Sequence, residues 1–119
     1  MTVNILIART CRAHLSKALL AAALIAASPA VGQAAGHEYK LVMRNMDYGA
    51  APSGLKVGDT IVWVNNDTVQ HSATARDHSF DVRLNPGQSA KTPLTKAGNI
   101  AFYCLFHPSM HGALNVAAK

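Results

Sequence analysis

The chain is 119 residues long, enough for one domain and too short for two. Half of the residues are hydrophobic, 14% are charged and 6% are aromatic, which excludes both a disordered polymer and a bundle of membrane helices. A formal charge of +5 points at first to an acidic partner such as nucleic acid, but that charge is not spread evenly.

The first predicted element is not part of a fold. Arg9, Arg12 and Lys17 precede the apolar run Ala18–Ala27, and small residues follow at Ser28-Pro29-Ala30 and Gly32-Gln33-Ala34-Ala35. Basic residues, a short greasy segment and small residues form a secretory signal peptide over 1–34. Cleavage is expected after Ala34, with Ala30 and Ala35 as alternatives. The run is about half the ~20 residues a membrane span needs. No cysteine follows it to take a lipid, so no stable membrane association is expected.

The exported domain, 35–119, then holds eight basic and six acidic side chains, a net +2. They are scattered, whereas a nucleic-acid footprint needs a basic face that displaces counterions. A nucleic-acid partner is therefore excluded, and a periplasmic monomer is expected. Cys11 leaves with the signal, so Cys104 stands alone. A lone thiol in an oxidising compartment is a half-disulfide, an inert buried residue or a metal thiolate.

The mature chain reads as β almost throughout. Glu38 to Met46 alternates and predicts a strand in which Met43 and Met46 pack. A turn over Gly54–Asp59 precedes the β-branched run Thr60–Val64, a central strand. Asn65-Asn66-Asp67 turns again. His71–Ala75 is a short strand, followed by a polar stretch from Arg76 to Ser79. Asn85-Pro86-Gly87 turns into a strand over Gln88–Leu94. Ala97-Gly98-Asn99 turns into Ile100–Cys104, and Gly112–Ala117 closes the chain. Short strands at intervals near ten residues predict an all-β, two-sheet Greek-key sandwich.

The chemistry concentrates in Tyr103-Cys104-Leu105-Phe106-His107-Pro108-Ser109-Met110-His111-Gly112. A thiolate, an imidazole and a thioether recur at Cys-x2-His-x2-Met spacing in a loop between strands. Soft sulfur and imidazole select copper, and a His2Cys plane with a long axial Met is the blue-copper arrangement. A tight loop after a strand end turns all three side chains toward one point. The second imidazole must come from elsewhere, and His71 heads a strand upstream.

These residues resemble the small cupredoxins, above all the amicyanin-like and plastocyanin-like group. The likeness runs through Lys56-Val57-Gly58-Asp59-Thr60-Ile61-Val62-Trp63-Val64-Asn65, His71-Ser72-Ala73-Thr74, Lys96-Ala97-Gly98 and Phe102–Gly112. The short gap between His107 and Met110 is similar to amicyanin. The resemblance implies one copper ion, cycling between Cu(I) and Cu(II), with His71, Cys104 and His107 as equatorial ligands and Met110 as the axial one. It also implies that the His107 edge emerges through an apolar patch including Phe106, Pro108 and Pro52, where redox donor and acceptor proteins dock transiently. Ser72 stands where such proteins often carry an Asn that hydrogen-bonds behind the first ligand. Leu105-Phe106 replaces a frequent Thr-Pro, and His111 a basic residue.

Outside this group, His78 and His111 read as surface residues. Cleavage after Ala34 would begin the chain Ala35-Gly36-His37, which could take a second Cu(II) through amine, amides and imidazole. A metal with three strong protein ligands and a weak fourth has no position open for substrate, unlike an enzyme's. Electron transfer is the expected function and catalysis is not. The alternatives are a copper-binding or delivery protein using the same ligands, and a sandwich that holds zinc or no metal.

Overall fold

A computed structural model describes residues 35–119; the signal-peptide expectation for 1–34 lies outside them. The described elements are strands: β1 (Glu38–Arg44), β2 (Asp47–Tyr48), β3 (Leu55–Lys56), β4 (Thr60–Asn65), β5 (His71–Ala75), β6 (Asp81–Leu84), β7 (Ser89–Pro93), β8 (Gly98–Tyr103) and β9 (His111–Ala117). They form one sheet in the order β2-β1-β4-β7 and another in the order β3-β9-β8-β5-β6. The chain repeatedly crosses between the sheets, so β1 runs parallel to β4 and β3 parallel to β9. This is the expected two-sheet Greek-key sandwich.

Period-2 alternation sets which side chains line the interior. Along β4, Ile61, Trp63 and Asn65 are buried while Thr60, Val62 and Val64 are half-exposed. Trp63 meets Phe102 of β8 edge-on, with ring centroids 5.1 Å apart, and Tyr48 meets Phe102 in the same way at 4.8 Å. Offset and edge contacts of this kind suit the aromatic quadrupole. The Trp63 indole N–H donates to Thr92 Oγ1 at 2.9 Å, so the one polar atom of this large side chain is satisfied. Gly112 of β9 lies against the same ring: a Cβ there would stand 2.5 Å from Phe102 Cζ. The close approach seats the β8–β9 connection directly over the core.

Strand β5 spans His71–Ala75 as the sequence predicts, and all five residues are buried. It lies between β8 and β6, which places His71 inside the sandwich. Three details differ from the sequence reading. The strand beginning at Glu38 ends at Arg44, because Asn45 and Met46 adopt φ of 54° and 60°. With Arg44 paired to Asp47, this is a two-residue hairpin turn of the I′ kind. Met46 is therefore 47% exposed and does not pack, whereas Met43 is fully buried. The stretch after Ser79 contains β6, whose Asp81 and Arg83 face solvent and mask its strand character. The turn at Gly54–Asp59 contains the short strand β3.

Candidate metal centre

The loop Cys104–Met110 joins β8 to β9 and is closed by its own backbone. Cys104 N–H donates to Met110 O at 2.9 Å, and Met110 N–H donates to His107 O at 2.9 Å. These bonds fold the Cys-x2-His-x2-Met spacing into a compact turn. Cys104 is free and buried, and Met110 is buried with it. His107 is half-buried, while Leu105 and Phe106 beside it are 38% and 42% exposed.

His71 is brought to this loop from β5. Its Nδ1 lies 3.9 Å from Cys104 Sγ, and His107 Nδ1 lies 3.7 Å from the same sulfur. Donor atoms of the three residues all fall within 4.8 Å of one another. Metal bonds of ~2.3 Å to thiolate and ~2.0 Å to imidazole, opened by ~120°, place sulfur and nitrogen about 3.7 Å apart. A tetrahedral angle would give about 3.5 Å, so the spacings suit a metal bound by all three donors. One soft thiolate with two imidazoles is a donor set that copper favours.

Around the donors runs a set of hydrogen bonds that sequence reasoning largely missed. Ser72 N–H donates to Cys104 Sγ at 3.3 Å, and Leu105 N–H donates to Ser72 Oγ at 2.8 Å. Ser72 thus ties the two donor segments together. The Tyr48 hydroxyl donates to Ser72 O. Burial, and then the electrostatic influence of nearby Cys104, push the Tyr48 phenol well above its ordinary value, so it remains a donor.

Behind His71, Nε2 lies 2.7 Å from Asp67 Oδ2. Asp67 also accepts from Asn45 N–H at 2.7 Å and from Met46 N–H at 2.9 Å. The Met46 N–H first, then His71, hold this carboxyl below the usual carboxylate range; burial acts the other way. Asn65 supports the same loop. Its Nδ2 donates to Val69 O and Leu84 O, and its Oδ1 accepts from Asp67 N–H. The only sequence signal for this network was a polar turn, Asn65-Asn66-Asp67, just before a histidine.

Among the described residues, the other histidines stay outside the cluster. His78 and His111 are exposed, as expected, and His111 Nδ1–H donates to Ser109 O at 2.9 Å. The His37 peptide N–H donates to Asp59 Oδ1 at 2.8 Å. An Ala35-Gly36-His37 copper site would need that same nitrogen, so the fold competes with it.

The cupredoxin-like domain family matches residues 16–116 of the chain. The protein belongs to that family. Among curated relatives, methylamine utilization protein MauL of Methylorubrum extorquens is 28% identical over 90 residues, covering 72% of this cupredoxin and 79% of MauL. Among solved structures, a reduced amicyanin variant shares 25% identity with a TM-score of 0.59, covering 71% of this chain and 86% of its own. A purple cupredoxin from Nitrosopumilus maritimus shares the fold at 24% identity and a TM-score of 0.55, covering 66% and 98%. Membership and the His-Cys-His donor set together specify a single type 1 copper ion in a copper electron carrier.

Proposed function

We propose that this cupredoxin is exported and works as a soluble one-electron carrier between redox proteins. In this reading His71, Cys104 and His107 would hold the copper, with the Met110 thioether as a further ligand. Bound copper supplies the one-electron couple between Cu(I) and Cu(II). The carrying observation is the approach of two imidazole nitrogens to the buried Cys104 sulfur, at 3.9 and 3.7 Å.

The protein's own residues divide the work. His71, Cys104 and Met110 are at most 1% exposed, so they exclude water from the donor point and leave no opening for a substrate. His107 is the one member of the set that reaches the surface, and it supplies the way in and out for an electron. The hydrogen bonds that Ser72 and Tyr48 donate and that Asp67 accepts hold the donors in place, which keeps rearrangement small. Exposed Leu105 and Phe106 provide an apolar rim beside His107. A brief encounter there would fall below ~1,200 Å² of interface. The net charge of +2 on 35–119 gives little long-range steering. The name of MauL makes proteins of methylamine utilization a natural first set of partners to assay. Burial of three donors favours a retained ion over a delivered one, and a mild chelator separates the two: a carrier keeps its copper.

The test is the visible and EPR spectrum of the copper-loaded protein. An intense thiolate-to-copper band is expected, lost completely in Cys104→Ser and altered but retained in Met110→Gln. A colourless copper-loaded wild type would overturn the assignment. Copper should also raise the melting temperature, since a ligand bound only by the folded state stabilises it by mass action.

A further inference from the structure

The Asn45–Met46 turn is conformationally expensive. Both residues are left-handed, and the second is a methionine where such turns favour glycine. A non-glycine residue in that region brings its Cβ too close to the following carbonyl oxygen. The geometry it achieves is specific: two successive N–H groups point at one carboxylate across 22 and 21 residues of chain. The third partner of that carboxylate is His71 Nε2, on a ring with no solvent exposure. An ionised carboxylate can only accept, so the imidazole must donate from Nε2. In the neutral ring that leaves the lone pair on Nδ1, the nitrogen that faces Cys104 Sγ.

We propose that Asp67, gripped by the Asn45–Met46 turn, is the positioning residue that fixes the tautomer and ring orientation of His71 and biases the copper site toward Cu(II). The inference rests on the ligand assignment made above. Its physical basis is twofold. A carboxylate behind a ligating imidazole makes the ring a stronger donor, and such outer partners are commonly worth 10–100-fold in metal affinity. The carboxylate's negative charge also favours the more highly charged metal.

The molecule supplies its own control. Asp59, at the other end of β4, accepts N–H bonds from His37 at 2.8 Å and Lys56 at 2.8 Å, with no imidazole ring among its hydrogen-bond partners. Asp67→Asn and Asp59→Asn each weaken a carboxylate that staples two backbone segments. Only the first change disturbs His71.

The experiment has two arms. In the copper-loaded protein, Asp67→Asn should lower Cu(II) affinity 10–100-fold and raise the reduction potential. The rise is 59 mV for each tenfold of Cu(II) preference lost, while Asp59→Asn should leave the potential at the wild-type value. An Asp67→Asn potential equal to that of wild type, in protein that still shows the thiolate band, overturns the proposal and leaves the copper reading intact. In the metal-free wild type, ¹⁵N NMR of the neutral His71 ring should find its proton on Nε2. A proton on Nδ1 overturns the proposal even if no Asp67 variant folds. A wild type that takes up copper without colour would instead defeat the ligand assignment, a result distinct from either arm.

Discussion

The two ends of strand β4 carry the same device with different consequences. At one end Asp59 accepts two backbone N–H bonds, from His37 and Lys56; at the other Asp67 accepts two, from Asn45 and Met46. Each pins a remote segment to the central strand, which a small domain needs because it buries little surface per residue. The difference is the third partner. Asp67 alone reaches His71, so the second staple is also part of the metal centre's support. A carboxylate that merely fastens the chain and one that also tunes a ligand look alike until that contact is traced.

The largest effect that could break the comparison comes from Asn65. It is fully buried and makes three hydrogen bonds that shape the loop from Asp67 to His71. Asn65→Ala strips the donor from the buried Leu84 carbonyl, at about 1–3 kcal/mol, and from the part-buried Val69 carbonyl. A loss of about 2–4 kcal/mol is expected, together with weaker copper binding, since His71 is then held by a loosened loop. Chemical denaturation and copper titration of the same variant check both. If stability falls but copper affinity does not, the support of His71 does not pass through this loop.

A smaller change sharpens the comparison from the middle of the strand. Thr92→Val removes the only acceptor of the Trp63 indole N–H and leaves that donor buried and unpaired. The expected cost is about 1–3 kcal/mol, read as a drop of roughly 4–8 °C in melting temperature per kcal/mol. Neither end of β4 is touched, so the thiolate band and reduction potential should match wild type. A shifted potential here would mean that any loss of stability perturbs the site, and the Asp67 contrast would lose its force.

The same division explains what was legible in the sequence. The Cys104–Met110 loop is held by bonds among its own residues, so ligand spacing and structure lie in one short stretch and could be read directly. His71–Ala75 was equally plain as a strand, and the structure brings His71, Cys104 and His107 together as expected. The support of His71 is different. It depends on contacts across some twenty residues between a turn and a carboxylate, and no local pattern announces them. The misreading of Met46 has the same origin: its alternation continued the strand, but the hairpin turn and the pull of Asp67 override it. Ser72 was noted for the Asn it replaces, yet its hydroxyl and N–H do link the two donor segments.

The smallest effect concerns acid. The Lys56 N–H first, then the His37 N–H, hold the Asp59 carboxyl below its ordinary range, with burial opposing them. A carboxyl whose pKa is lower in the folded state than in the unfolded one, where it is ~3.9, stabilises the fold above that value. The contribution is lost as pH falls through the folded value, so the window opens below about pH 4. Asp77, lowered chiefly by Lys96, adds in the same direction, but that pair is exposed and fades with salt. Metal-free protein in moderate salt should therefore melt at progressively lower temperature as the pH falls below about 4. Asp59→Asn should begin lower at neutral pH and lose less on acidification, because the charged acceptor that acid removes is already gone. If the two curves instead run parallel down to pH 2, the Asp59 staple owes nothing to its charge, and the two ends of β4 differ in more than their third partner.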